Sequence, residues 1–203
     1  MTTALWIVGA YLVGAIPASF LAARLGAGLD LREHGSKNLG ATNVYRVLGW
    51  RFAIPVALFD VSKGLGPVAL ARSQFDQLWL PVVIGLSAVI GHVFSVFVRF
   101  KGGKGVATAS GVVLGLAPLA LLGAAGVWGV TLTLSGFVSL SSMVAALSFP
   151  LLVWLIYPTA DTTLLLGVGL ALFILFTHRS NIRRLIDGTE NRFSRSATSA
   201  GRA

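Results

Sequence analysis

The chain has 203 residues, 55% of them hydrophobic and only 11% charged, with a mean hydropathy of +0.82. Such a composition excludes a soluble globule of this size and predicts an all-α polytopic integral membrane protein seated in a lipid bilayer. Zero cysteines exclude disulfides, thiolate metal sites and cysteine nucleophiles, and the net charge of +9 sits mostly in loops and tail, where it signals topology and implies no nucleic-acid partner.

In chain order, the first apolar run is Ala4 to Ala23, free of charge and without a basic leader or small-residue cleavage site, so it is expected to be a retained span. Next comes a polar island, Gly35-Ser36-Lys37-Asn38-Leu39-Gly40-Ala41-Thr42-Asn43, with Arg46 close behind. The second span, Phe52 to Ala71, carries Asp60 and Lys63, three apart and so on one helix face. Gly64, Gly66 and Pro67 predict a break there that would turn Lys63 inward toward a ligand; pairing of Lys63 with Asp60 is the structural alternative. A third span, Leu78 to Val98, contains His92 less than two turns before a second island, Lys101-Gly102-Gly103-Lys104-Gly105.

From Gly105 to Ala160 no charged residue occurs, and the last span is Thr162 to Thr177. Lysines and arginines cluster around Arg24 to Arg46, around Arg99 to Lys104, and after Arg179, and all three clusters are expected on the cytoplasmic side. That parity requires an odd number of crossings in the charge-free stretch, which is long enough for three, dividing near Pro118 and Ser135-Gly136. The reading is seven transmembrane segments with the N-terminus out, the C-terminus in and every polar motif on the cytoplasmic face. Residues 1–190 form one domain, and 191–203 are expected to be a disordered basic tail.

Chemically, the first island offers backbone freedom at its glycines, neutral hydrogen-bonding groups at Ser36, Asn38, Thr42 and Asn43, and the planar fork of Arg46, a set suited to a phosphorylated ligand. In the second, glycine amides at a helix start beside a lysine make an anion site. No Ser or Thr follows Lys104, so it is not a nucleotide-binding P-loop. A third island supplies the hydroxyls of Ser139, Ser141 and Ser142. A fourth, His178-Arg179-Ser180-Asn181, places His178 and Asn181 on one face. No Gly-x-Ser-x-Gly elbow and no His-x4-Asp pair is present, and the scattered carboxylates suit neither a metal cage nor a paired acid and base, so no metal or cofactor is expected. The chemistry rests on positioning and anion stabilisation.

These four motifs, in this order from about Ala4 to Glu190, resemble the PlsY family of bacterial acyl-phosphate:glycerol-3-phosphate acyltransferases. Lys37 stands where that family often has Gly or Ser, and Ser135-Gly136-Phe137 is a mild variant. The resemblance implies transfer of an acyl chain from acyl phosphate to the 1-hydroxyl of glycerol 3-phosphate at the cytoplasmic face of the bacterial inner membrane, with an acyl-phosphate-producing enzyme upstream. By position it assigns phosphate binding to Ser36, Asn38, Gly40, Thr42, Asn43 and Arg46, and to Lys104 with the amides of Gly102, Gly103 and Gly105. Lys63, His92 and Lys101 join this binding set. Ser139, Ser142, His178 and Asn181 would hold the acyl phosphate and the attacking hydroxyl. Alternatives of another class are an anion transporter using the same cationic loops and a purely structural membrane protein.

Overall fold

The computed structural model describes residues 2–77 and 79–193, and among these it is entirely helical. The first apolar run is two helices, α1 (Thr2–Ala15) and α2 (Ala18–Ala27), interrupted at Ile16-Pro17. Proline has no N–H to donate and its ring clashes with the carbonyl four residues back, so the rod breaks there. A short amphipathic α3 (Ala41–Leu48) follows, so Ala41, Thr42 and Asn43 of the first polar island are helical rather than looped.

The second span, α4 (Trp50–Gln74), runs unbroken through Pro55 and Pro67, contrary to the break expected at Gly64, Gly66 and Pro67. In lipid a lost backbone hydrogen bond can be compensated by neighbouring groups, so a glycine or proline need not end a helix there. Gly64 instead permits contact. A side chain there would strike the Thr108 carbonyl of α6 (Val106–Leu116), and one at Gly111 of α6 would strike the Val61 carbonyl of α4. The same reciprocal device joins α1 to α5 (Trp79–Val93): Gly14 lies against the Ala88 carbonyl and Gly91 against that of Tyr11. Bare backbone at these four positions brings helix axes close enough for dispersion to hold them together, the usual basis of helix association in a bilayer.

A single-turn 3₁₀ segment, Val96–Val98, links α5 to the second island. The charge-free stretch divides where expected, into α6, α7 (Pro118–Ser135) and α8 (Val138–Ile156), with proline opening α7 and Gly136 (φ +73) ending it in the left-handed region. Then come α9 (Asp161–Thr177) and α10 (Arg179–Ile186), bent 59° from each other. One apolar core joins Val68, Val89, Val112, Phe149, Val153, Leu170 and Ile174 across α4, α5, α6, α8 and α9. A second, around Leu31, Leu39, Val44 and Val56, supports the first polar island from beneath.

Leu5, Leu58, Leu122, Trp154 and Leu172 face outward, as helices surrounded by lipid require. The continuous runs Thr3–Ala27, α4, Trp79–Val98, α7 and α8 are each long and apolar enough to cross a membrane. The bent pair α9 and α10 makes a sixth if counted as one, and the eleven residues of α6 extend about 16 Å, short of the roughly 30 Å hydrocarbon core. The chain is therefore a multi-pass membrane protein. Of the tail, Asn191 to Phe193 pack against the body: the Phe193 N–H donates to the Gly136 carbonyl at 2.7 Å, and its ring stacks near Tyr45 and Trp50. Residues 194–203, on which the rest of the expected disorder falls, lie outside the described residues.

Candidate functional site

The cationic island, the hydroxyl island, the histidine corner and the first polar loop meet at one end of the bundle around a cavity of about 420 Å³. Its lining includes Ser36, Asn38, Gly40, Thr42, Asn43, Arg46, His92, Lys104, Gly105, Ser139, Ser142, His178 and Asn181. Lys63, Lys101, Gly102 and Gly103 from the expected set are not among its walls.

The first island is folded around Asn43, which is buried. Its Oδ1 accepts the Ser36 N–H at 2.8 Å, and its Nδ2 donates to the carbonyls of His34 and Asn38 at 3.0 Å and of Leu31 at 3.3 Å. With both ends of its amide engaged, Asn43 shapes the loop rather than offering a free group to a ligand. Gly35 sits at φ +60, and a side chain on it would collide with the Asn43 carboxamide, so the turn needs glycine on two counts. The loop so formed presents Ser36, Asn38 and Thr42 to the cavity, and α3 adds the half-buried Arg46, whose Nη2 reaches the Asn191 carbonyl at 3.4 Å. Burial lowers the pKa of Arg46, partly offset by the carboxylate of Glu190.

In the second island the amides of Gly102 and Gly103 donate to the carbonyls of Val93 (2.9 Å) and His92 (3.2 Å). They are not open to an anion, and this departs from the sequence-based assignment. Glycine is required there for space: a side chain at 102 would strike the His92 carbonyl, and one at 103 the His92 ring and the Leu39 carbonyl. Lys101 points away and is exposed. Lys104 is the lysine of this island that lines the cavity. Its Nζ is hydrogen-bonded to Asn181 Oδ1, its carbonyl accepts from Thr177 Oγ1 at 3.1 Å, and burial lowers its pKa to about 8, opposed by Glu190 and aided by Arg184 and Arg46.

Glu190, absent from the expected site, is the hub of the remaining polar groups. Its Oε1 accepts from Ser139 Oγ at 2.7 Å and Asn181 Nδ2 at 2.6 Å, and its Oε2 accepts from Arg184 Nε at 2.7 Å. Burial raises this carboxyl's pKa, but the three donors outweigh it and hold the group below the usual carboxylate range. The buried His178 directs Nδ1 at the Ile174 carbonyl, 2.8 Å away, which leaves Nε2 as the ring nitrogen able to accept a proton. Ser142 donates to the Val138 carbonyl at 2.9 Å and accepts from Trp128 Nε1 at 3.3 Å, which leaves its oxygen one lone pair.

Lys63 does pair with Asp60, at 2.8 Å, and donates to the Ile16 carbonyl at 3.0 Å in the α1–α2 break. Both residues border a separate small void together with His92, Gly102 and Gly103. Glu190, Arg184, Asp60 and Trp128 were thus missed as parts of the site. The available signal for Glu190 was scarcity: seven acidic residues in the chain, one of them directly behind a run of arginines.

Beyond the polar mouth the cavity walls become apolar, with Ala124, Trp128, Ala146, Phe149, Gly167 and Leu170. Phe149 lies eleven positions into α8 from Val138, about 16 Å along the helix. A cationic mouth continuous with an apolar slot suits a molecule with an anionic head and a hydrocarbon chain.

Comparison with known proteins agrees. The family model described as glycerol-3-phosphate acyltransferase matches residues 4–188. The glycerol-3-phosphate acyltransferase of Geotalea daltonii is 48% identical over 190 residues, covering 93% of this chain and 96% of that one; its Chlorobaculum parvum counterpart is 41% identical, covering 93% and 95%. Two crystal structures of PlsY, an integral membrane glycerol 3-phosphate acyltransferase, superpose with TM-scores of 0.89 in the glycerol 3-phosphate form and 0.88 in the lysophosphatidic acid form. They are 38% and 36% identical and cover 96% of both chains. The order of the four motifs, the helical membrane fold and these likenesses place the chain in the PlsY family of glycerol-3-phosphate acyltransferases.

Proposed function

We propose that the chain transfers an acyl group from acyl phosphate to the 1-hydroxyl of glycerol 3-phosphate, giving lysophosphatidic acid and phosphate. The observation that carries this is the cavity in which Lys104 and Arg46 stand at a polar mouth that opens onto an apolar slot. The solved relatives named for glycerol 3-phosphate and lysophosphatidic acid support the acceptor and the product.

The acyl chain lies along Phe149, Trp128 and Leu170, with its phosphate at the mouth. Lys104 and Arg46, with Ser36, Asn38 and Thr42, hold phosphate oxygens. The hydroxyl oxygen attacks the acyl carbonyl carbon, the carbonyl-to-phosphate C–O bond breaks with its electron pair going to phosphate, and the hydroxyl proton passes to the departing phosphate directly or through His178 Nε2. The mixed anhydride is already activated, and neither Ser139 nor Ser142 is bonded to an effective general base: Ser142 donates to a backbone carbonyl, and Ser139 to the Glu190 carboxylate, which its three donors hold below the usual carboxylate range and so make a poor base. Transfer is therefore direct, without an acyl-enzyme. Ser139 and Asn181 orient the acceptor around Glu190.

In the membrane the chain crosses seven times, N-terminus out and C-terminus in, which puts the site on the cytoplasmic side of the bacterial inner membrane. The short α6, enclosed by α4, α5 and α7, crosses with little lipid contact. An enzyme that makes acyl phosphate stands upstream. No internal inverted repeat of the kind common in transporters supports flux as the alternative.

The test is turnover by the full chain in lipid, supplied with glycerol 3-phosphate and either palmitoyl phosphate or palmitoyl-CoA. Lysophosphatidic acid and phosphate are expected from the first donor alone. Product from the CoA thioester alone would reject the donor assignment, and glycerol 3-phosphate flux across vesicles without covalent change would reject the reaction.

A further inference from the structure

One buried charge group has no role in the steps above, although Asp60 and His92 also line the cavity. Asp60 is 2% exposed, Lys63 3% and His92 7%, deep between α4, α5 and the α1–α2 break. A role confined to neutralising Lys63 needs only the 2.8 Å contact between the two, and Lys63 already has a second partner in the Ile16 carbonyl. Asp60 does more. The same Oδ1 faces His92 Nδ1 at 3.6 Å, and the other side of that ring is packed on the second island: a side chain added at Gly103 would overlap His92 Nε2.

His92 also grips this loop through its backbone, since its carbonyl accepts the Gly103 N–H at 3.2 Å. Gly103 in turn rests against the Leu39 carbonyl of the first island. A stack thus runs from the carboxylate on α4, through the imidazole on α5, to Gly103 and then Leu39. Lys104 is the next residue along. Both phosphate-handling loops share this one stop, and the charge at its base is held away from water.

We propose that Asp60 is a positioning residue, acting through His92 to set the second island and thereby the Lys104 ammonium; the proposal rests on Lys104 being a phosphate-binding group. Lys63 pairs with Asp60 and ties the node to the α1–α2 break. Asp60 acts on the ligand through this path, although it and His92 also form part of the cavity wall. Removing the carboxylate frees the ring, the ring releases Gly103, and Lys104 loses its fixed approach to Asn181 and the ligand. Binding of the phosphorylated acceptor is the property that suffers.

The test compares wild type, His92→Gln and the double variant Asp60→Asn/Lys63→Met, each as the full chain in lipid. The double variant removes both buried charges together and so avoids an unpaired one that would prevent folding. Readouts are KM and kcat for glycerol 3-phosphate, and calorimetric binding of glycerol 3-phosphate without donor. Both variants are expected to keep their melting temperature while KM and Kd rise about ten- to a hundredfold, the scale of a small misplacement, with kcat changed far less. Adding Lys104→Gln should then cost little more, because the two losses share one path. Unchanged KM and Kd in the folded double variant would reduce Asp60 to a counterion and overturn the proposal; unchanged values in His92→Gln would do the same. A wild type that binds glycerol 3-phosphate but transfers nothing would reject the reaction alone, leaving the binding comparison to decide this point.

Discussion

Two charged clusters lie within the same bundle, and they are arranged in opposite ways. In the inner one, Asp60 is matched to Lys63 at 2.8 Å with His92 alongside, and the pair is closed off from water. In the outer one, Lys104, Arg46 and Arg184 are near enough to act on one another's charge, and Glu190 is the one carboxylate set among them. Glu190 is paired with Arg184, and among the described residues Lys104 and Arg46, at the mouth of an apolar slot, have no ion-pair partner within 4 Å. The inner cluster satisfies its ion pair within itself, whereas the outer one is incomplete until an anion arrives. Charge balance, more than burial, separates scaffold from site in this protein.

The sharpest way to break that distinction is to unbalance the inner cluster. Lys63→Met leaves a carboxylate buried without its partner, and loss of about 3–5 kcal/mol of stability is expected in thermal or chemical unfolding of the purified chain. Removing charge from the outer cluster should instead spare stability and damage function. Lys104→Gln deletes a charge-assisted contact worth about 1.5–3 kcal/mol, so kcat/KM for glycerol 3-phosphate should fall roughly ten- to a hundredfold while the melting temperature holds. Arg183 provides the control: it is highly exposed, and its Nε stands 3.9 Å from Asp187 Oδ2 at the surface. Arg183→Ala should change stability by less than about 0.5 kcal/mol and leave the kinetics untouched.

Much of this architecture could be read from the residues, for local reasons. Pro118 and Gly136 mark the ends of α7 because proline suits a first helical turn and glycine tolerates the left-handed region. Lys104 stands out because it is flanked by Gly103 and Gly105 in so apolar a chain, and Arg46 because it closely follows the polar first island. What escaped notice depends on tertiary contact. Glu190 lies 51 positions from Ser139 and only the folded chain brings them together. The glycines of α4 read as helix breakers by the preferences that hold in water, whereas Gly64 faces the backbone of another helix. Gly102 and Gly103 looked like open amides because their spacing says nothing of the carbonyls waiting on α5. Asn43 similarly offers the right chemistry for a ligand, yet its amide is engaged by its own loop.

The measurement closest to the central claim is the pH dependence of KM for glycerol 3-phosphate in wild type and in Lys104→Arg. Burial brings the Lys104 pKa down to about 8, so in the free protein the ammonium is present below that pH and lost above it. Bound phosphate would raise this value, and binding should weaken as pH climbs past about 8. A guanidinium stays charged throughout this range, so Lys104→Arg, whatever its absolute affinity, should lose that break. The same rise of KM above pH 8 in both proteins would mean that Lys104 does not hold the substrate phosphate, and the outer cluster would lose its assigned role.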